Sequence, residues 1–445
     1  MLILNHILLL KIILMQFNFP KVLIIGTYFD LASGGGITMS NLFRGWDKNR
    51  IAVASSRISH PDYSVCNINY QFGFAEEKRR FPFYLWQRKE KSGLIDTPIK
   101  SSSSSVKIAV SDSRKMKLYN DFLHFFGLYH YARKLQLSPE FTIWLKEFKP
   151  DIIYTQLSTL ESIRFVSSLQ SKFNIPVIVH IMDDWPSTIS RKGILQTYWK
   201  NKIDKEFRSL IDKSKVLMSI SDAMTDEYRI RYDKEFIPFH NPINVSYWSK
   251  QSKVNYNANV PFIILYSGRI GAGICNCFFD ITKAIKELVD RGLNIEFQLQ
   301  STSNSFILKE ISKYSFVKIK TPQPYDALPG LFASVDILLI PNDFDKKSIA
   351  FLKYSMPTKA SEYMVTGTPI LLYADEETAI VKHARRNKWG YIVSENNPSK
   401  LATAITELYE NEDLRKELGQ IARQYASENY CDIKVNKQFL KSFAN

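Results

Sequence analysis

Two stretches of the chain alternate short apolar runs with helix-forming segments, and this alternation restricts the fold more than any other feature. In the first stretch, residues 21–26 (KVLIIG) are an apolar run closed by glycine, the pattern of a strand buried on both faces. Gly34, Gly35 and Gly36 follow as an expected loop that lets a ligand approach the backbone, and Ile37 opens a helix. Further strands are expected at 151–154, 176–180 and 216–220, with helices starting at Ser138-Pro139 and running over 162–173; a serine cap with a first-turn proline is a strong helix start. The second stretch repeats the scheme with strands at 262–266, 295–299, 334–341 and 390–393 and helices at 280–291 and 398–409. Such successions build parallel sheets covered by helices on both faces. The expected fold class is α/β, with two Rossmann-like domains facing a cleft.

A length of 445 residues agrees with two domains. The expected boundaries are 15–246 for the first and 258–425 for the second. Polar residues 247–260 read as the linker, the last segment, 413–443, reads as helical with no strand after it, and 426–445 are set apart as a C-terminal helix. Residues 1–14 are apolar but too short to span a bilayer and are interrupted by Asn5, His6 and Lys11; they read as a non-structural extension with Met15 as an alternative start. The four cysteines are scattered and read as reduced thiols without a zinc or redox spacing.

Within the second domain, residues 348–371 (SIAFLKYSMPTKASEYMVTGTPIL) carry the densest chemistry. Pro357-Thr358-Lys359 reads as a turn that delivers a cation to a helix N-terminus, which already favours anions. Glu362 lies one turn further on the same face, placed to accept hydrogen bonds from a ribose diol. Gly367 and Pro369 stop the helix before a buried strand. Neither Lys359 nor Glu362 is assigned to the core. This stretch resembles the donor-nucleotide site of the retaining GT-B glycosyltransferases of family 4. Glu362 matches the second glutamate of their motif and Gly367 and Pro369 match its end, while Tyr354 stands where the first glutamate is usual. A branch of the family with Pro-Ser/Thr-Lys before the second glutamate shares that departure. The resemblance extends from about Lys21 onward and implies that the C-terminal helix 426–445 crosses back to the first domain; at the end of the first domain Asn241-Pro242-Ile243-Asn244 stands where Asn-Gly-Val-Asp is common.

The resemblance implies transfer of a sugar from a nucleotide sugar, of UDP or GDP type, to a glycan or lipid-linked acceptor. Retention of anomeric configuration and a place in surface polysaccharide or glycolipid synthesis are further implications, as is the absence of any bound cofactor or metal. The leaving diphosphate gains charge as the glycosidic bond breaks, so fixed cations act most strongly then. Arg269, after a strand and Gly268, is the first candidate and Lys359 the second. The lysine usual a few residues past the arginine is missing, and the glycines at 271 and 273 are expected to offer backbone N–H donors instead. His180 and Asp183, at the end of the 176–180 strand, are catalytic candidates because a His/Asp element of the family contacts the donor sugar. Gly35, Gly36, Gly268, Thr358 and Glu362 complete the donor-binding set.

A net charge of +15 favours anionic partners. Residues 78–91 (KRRFPFYLWQRKEK) interleave basic and aromatic side chains, which suits an anionic membrane surface. Arg79, Arg80, Phe83 and Trp86 are therefore expected on the acceptor or membrane side, with the protein cytoplasmic on the inner face of the cell membrane. Phe122, Phe125, Phe126, Tyr129 and Tyr131 form a helical aromatic patch read as core, and 101–105 is a serine run read as a flexible loop. Two other readings stay open on sequence alone: a sugar-nucleotide epimerase of the same fold, and a basic nucleic-acid-binding protein, although no nucleic-acid motif is present and no nucleic acid is the expected partner.

Overall fold

The computed structural model describes residues 19–86, 90–95, 114–188, 193–301 and 306–444; the side chains at 85–86, 114–117 and 119 lie outside the described set. The readings of residues 1–14 and of the serine run 101–105 fall outside it. Two compact units are present. One, the amino-terminal unit, holds most of the chain up to Ser219, Glu227–Ile237 and the chain end from Phe439. The other, the carboxyl-terminal unit, holds Ile220–Asp226 and Pro238–Gln438.

In the amino-terminal unit the strands are β1 (Val22–Ile25), β2 (Ile51–Ser56), β3 (Ile68–Phe72), β4 (Glu77–Arg79), β5 (Gly93–Leu94), β6 (Arg133–Leu135), β7 (Ile152–Thr155), β8 (Val177–Ile181), β9 (Val216–Ser219) and β10 (Ile237–Pro238). Eight of them form one sheet in the order β10-β9-β8-β7-β1-β2-β3-β5. Its ladders from β9 to β3 are parallel, and β5 adds an antiparallel edge. β1 is wholly inaccessible to solvent, which is why its sequence is continuously apolar rather than alternating. β4 and β6 form a separate two-stranded ribbon. Phe439 and Phe443, near the chain end, pack on Phe43 with ring centroids 5.1 and 5.9 Å away, and Phe443 lies 5.0 Å from Trp46. The chain end therefore completes the core of this unit.

The carboxyl-terminal unit has the strands β11 (Phe262–Ser267), β12 (Ile295–Gln300), β13 (Val317–Lys320), β14 (Ile337–Pro341), β15 (Ile370–Tyr373) and β16 (Tyr391–Val393). They form one parallel sheet in the order β13-β12-β11-β14-β15-β16. The order reverses between β11 and β14, and open sheets of this kind bind ligands outside the carboxyl ends of the strands at such a reversal.

Three local expectations are corrected, and the helical end of the chain divides in two. Gly34, Gly35 and Gly36 are not a loop but the first turn of the helix Gly34–Leu42, capped by Ser33, whose hydroxyl accepts from the Gly36 amide at 3.0 Å. Residues 247–260 are not a free linker: Trp248 and Tyr256 are buried, and the Lys253 ammonium donates to the Val335 carbonyl at 2.7 Å. The terminal segment is two helices, Glu412–Asn429 and Asp432–Ala444. They part because the Tyr430 carbonyl accepts from the Ile243 amide at 2.8 Å and the Asp432 amide donates to the Ile243 carbonyl at 2.9 Å, which takes both groups out of the helical ladder. The aromatic patch is not core either: Phe122, Phe125, Phe126 and Tyr131 are exposed.

Candidate active site

β11 ends at Ser267, and the residues after it meet the helix Lys359–Thr366. The Tyr363 hydroxyl of that helix accepts from the Ser267 amide at 3.0 Å and lies 3.2 Å from its carbonyl. This fixes the helix beside the strand end. Gly268 has φ +151, and a Cβ there would run into the Lys359 Nζ and the Tyr266 hydroxyl. The backbone favours glycine there, and a side chain would displace the lysine tip. The Lys359 Nζ sits 3.9 Å from the centroid of the Tyr266 ring, and the Tyr266 hydroxyl donates to the Arg269 carbonyl at 2.7 Å. Tyr266 thus supports the ammonium with its face and the turn carrying Arg269 with its hydroxyl. The Arg269 side chain itself is exposed.

Glu362 faces the same place from one turn along, but it is buried, contrary to expectation, with 5% of its surface exposed. Its Oε1 accepts from the Tyr325 hydroxyl at 3.2 Å. Asn241, itself fully buried, donates to the Thr358 carbonyl at 3.2 Å and to the Ser361 hydroxyl at 3.3 Å, holding the first turn of the helix. Burial pushes Lys359 down to about 7, partly offset by the nearby Glu362 charge. Burial pushes Glu362 up to about 7, against the Tyr325 bond and the Lys359 charge. A cation and a carboxyl group, both poised to titrate near neutrality, are the mark of a site built for a charged ligand.

Gly271 does not offer its N–H in the role foreseen for it. The Gly271 amide donates to the Ile274 carbonyl at 3.0 Å, closing a tight turn. The next helix, Cys277–Asp290, begins under Asp343, whose Oδ1 accepts from the Cys275 and Cys277 amides at 3.0 and 2.8 Å. A carboxylate already occupies that helix start, which leaves Arg269 and Lys359 as the cations expected from the sequence to meet a phosphate. Asn241, Tyr266, Tyr325 and Tyr363 were missed as site-building residues; the first carried a signal, the Asn-Pro pair after a strand.

In the amino-terminal unit the candidates are dispersed. Gly36 approaches Asp30 so closely that a Cβ would strike its carboxylate. Asp30 also accepts from the Ala32 and Ser33 amides at 2.8 and 2.6 Å, so this helix start too holds its own anion; Gly35 has open space above it. His180 lies inside β8, fully buried, with Nδ1 2.5 Å from the Tyr154 hydroxyl, and desolvation lowers it to about 3. It is a neutral core imidazole. Asp183 is exposed; its neighbour Asp184 is buried and tied to Arg231 Nη1 at 2.7 Å and to the Tyr228 hydroxyl at 2.8 Å. Arg79 lies on β4 and the Arg80 guanidinium lies over the Tyr131 ring at 5.2 Å. Phe83 is corrected from a surface contact to a buried one, packed with Leu123 and Ala132. Trp86 ends a short 3₁₀ turn, Phe83–Trp86.

Residues 302–425 match the family described as glycosyl transferases group 1. No curated protein matches the chain in sequence. Among solved structures, a sucrose-phosphate synthase from Thermosynechococcus elongatus superposes with a TM-score of 0.60 at 12% identity, covering 95% of this chain and 98% of that one. HepE from Anabaena, in complex with UDP and glucose, gives 0.60 at 12% identity over 96% and 100%. A glycosyltransferase from Rickettsia africae gives 0.58 at 14% identity over 96% and 100%. The candidate site of Gly268, Lys359 and Glu362 lies in the unit that holds the matched region; the fold is the GT-B fold of these enzymes, and with the match over 302–425 it makes the protein a glycosyltransferase.

Proposed function

We propose that the protein moves a sugar from a UDP- or GDP-type nucleotide sugar to a glycan or lipid-linked acceptor, with retention, in the synthesis of a surface polysaccharide or glycolipid. The observation that carries this reading is the placement of Lys359 and Glu362 one turn apart at the reversal point of the carboxyl-terminal sheet, with Gly268 leaving room for the ammonium. Lys359 and Arg269 meet the diphosphate, whose charge grows as the bond to the sugar breaks, and so stabilise the transition state more than the ground state. Glu362 accepts from the ribose hydroxyls. Departure of the diphosphate and entry of the acceptor on the same face need no protein base, because the leaving oxygen can take the acceptor proton. The burial of His180 leaves the exposed Asp183 as the amino-terminal candidate nearer to solvent. The family matched over 302–425 favours transfer over epimerisation. The Pro-Thr-Lys…Glu spacing supports the family 4 branch.

We place the protein in the cytoplasm, peripheral on the inner face of the membrane where lipid-linked acceptors lie; among the described residues no helix is long and apolar enough to cross a membrane. Thermal shift with UDP-, GDP-, CMP- and dTDP-sugars, followed by transfer to acceptor and proton NMR of the new anomeric centre, tests the reading. Stabilisation by one base and an unchanged anomeric configuration are expected. An inverted product removes retention, and epimer formation without acceptor removes transfer.

A further inference from the structure

We propose that the cavity of about 370 Å³ lined by Asp222, Lys382, Arg386 and Tyr425 is a second small-molecule site, which takes a neutral saccharide of one or two rings. Every residue that lines it belongs to the carboxyl-terminal unit, and none of Gly268, Arg269, Lys359 and Glu362 is among them. The proposal goes beyond the donor reading and does not rest on it. The volume falls at the lower end of the roughly 300–1,000 Å³ of small-molecule sites. Hydrogen bonds hold two of the walls in place. The Ser221 hydroxyl donates to the Tyr354 carbonyl at 2.7 Å, and the Ala379 amide donates to the Lys353 carbonyl at 2.8 Å. Phe239 and Met356, both buried, supply apolar lining.

A chain of hydrogen bonds in the wall ends in a donor. The Trp389 indole N–H donates to His383 Nδ1 at 2.9 Å, and burial holds His383 down at about 4. The imidazole is therefore neutral, with its proton on Nε2. That N–H meets the hydroxyls of Tyr425 at 3.0 Å and Tyr430 at 3.1 Å, and the Tyr430 hydroxyl donates in turn to that of Tyr425. The Tyr425 oxygen thus accepts twice, and its own proton is the one left for a ligand. Charged groups come from two helices. Asp222 and Asp226, one turn apart on Asp222–Tyr232, only accept, whereas Lys382 and Arg386, one turn apart on Ala379–Asn387, only donate. The pairs cancel in formal charge, and the Arg386 charge bears on Asp222. An ion of either sign would be drawn by one pair and repelled by the other. Sugar hydroxyls donate to carboxylates and accept from ammonium, guanidinium and tyrosine alike. The rings of His240 and Tyr430, with centroids 4.6 Å apart, add faces that suit the C–H surface of a sugar.

The test is saturation-transfer NMR and titration calorimetry of the full-length protein with glucose, galactose, N-acetylglucosamine, maltose and lactose, in the absence of any nucleotide sugar. Saturable binding of at least one of them is expected. Asp222→Asn/Arg386→Gln should weaken that binding by about tenfold or more, the loss expected for hydrogen bonds to charged groups. Tyr425→Phe, which removes only the free donor, should weaken it by about two- to tenfold. Circular dichroism controls for folding; should the double variant misfold, Tyr425→Phe carries the test. Saturating UDP or GDP should leave the saccharide bound. Absent binding across the panel, wild-type binding by the folded variants, or displacement by UDP or GDP overturns the proposal. So does tighter binding of a hexose phosphate or of glycine that is lost in the same variants. No transfer is measured, so a failed glycosyltransferase reading leaves the outcome unaffected.

Discussion

The ammonium of Lys359 rests 3.9 Å from the ring centroid of Tyr266, a residue on the strand whose end carries Gly268 and Arg269. The ring steadies the cation without neutralising it, since a cation–π contact leaves the charge free to attract a phosphate. Replacing Lys359 with alanine should therefore lower kcat by about 10²–10³, the loss typical of removing one preorganised charge-stabilising group. The melting temperature should not fall, because burial disfavours this ammonium in the free protein. Steady-state kinetics with a melting curve decide it; near-normal kcat in a folded variant removes Lys359 from the chemistry.

Glu362 behaves differently because it is structural as well. Alanine there would remove the acceptor of the Tyr325 hydroxyl and cost about 0.5–1.5 kcal/mol of stability, so Glu362→Ala should melt earlier and confuse binding with folding. Glu362→Gln keeps an acceptor for Tyr325 and is the cleaner probe. It should weaken donor binding by about 1.5–3 kcal/mol, as expected for the loss of hydrogen bonds to a charged group, with a smaller change in kcat because ribose contacts are uniform between ground and transition states. Titration calorimetry with the stabilising nucleotide sugar reads this directly, and unchanged affinity would show that the ribose lies elsewhere.

Gly268→Ala tests whether the glycine serves the lysine. Its φ of +151 and the proximity of the Lys359 Nζ both oppose a side chain. The backbone strain should cost about 1–3 kcal/mol, and the displaced ammonium should reproduce most of the kcat loss of Lys359→Ala. A double-mutant cycle then shows strong non-additivity. Additive effects on kcat would mean that Gly268 acts independently of Lys359.

Much of the fold was legible because β1, β11 and β15 are parallel strands buried on both faces, which forces unbroken apolar runs into the sequence. The candidate donor residues could be picked out together because Lys359, Glu362 and Gly367 lie within three turns of chain. The groups that complete the site were not: Tyr266, Tyr325 and Asn241 reach it from separate elements, and single-chain spacing does not encode such contacts. Gly34–Gly36 were misread because the Asp30 and Ser33 caps that fold them into a helix are indistinguishable in sequence from ordinary loop polarity. Periodicity identified the aromatic helix around Phe122, yet it cannot tell a face covered by protein from one left open. Polar composition hid the packing of Trp248 and Lys253 for the converse reason, since the buried Lys253 ammonium is met by the Val335 and Ala333 carbonyls of a distant segment.

The pH response joins the two central residues. Lys359 falls from its ordinary 10.5 to about 7, so between those values the unfolded chain holds more protons and stability rises with pH. Glu362 climbs from 4.5 to about 7, so between those values the folded chain holds more protons and stability falls as pH rises. Their combined contribution to stability is therefore lowest near pH 7 in the free protein. A bound sugar nucleotide reverses both shifts: its diphosphate favours the ammonium, and its ribose hydroxyls favour the carboxylate. Binding should take up a proton above about pH 7 and release one below it, and affinity should peak near neutrality with limbs of at most about tenfold per pH unit. The ligand does not obscure the effect, because both phosphates of a sugar nucleotide are esterified and keep their charge through this range. Calorimetry in buffers of high and low ionisation enthalpy measures the proton count on each limb. Lys359→Arg, whose guanidinium stays charged, should flatten the alkaline limb and spare the acid one, whereas Glu362→Gln should do the opposite. A wild-type affinity that is flat from about pH 6 to about pH 8 would show that neither group changes protonation when the donor binds.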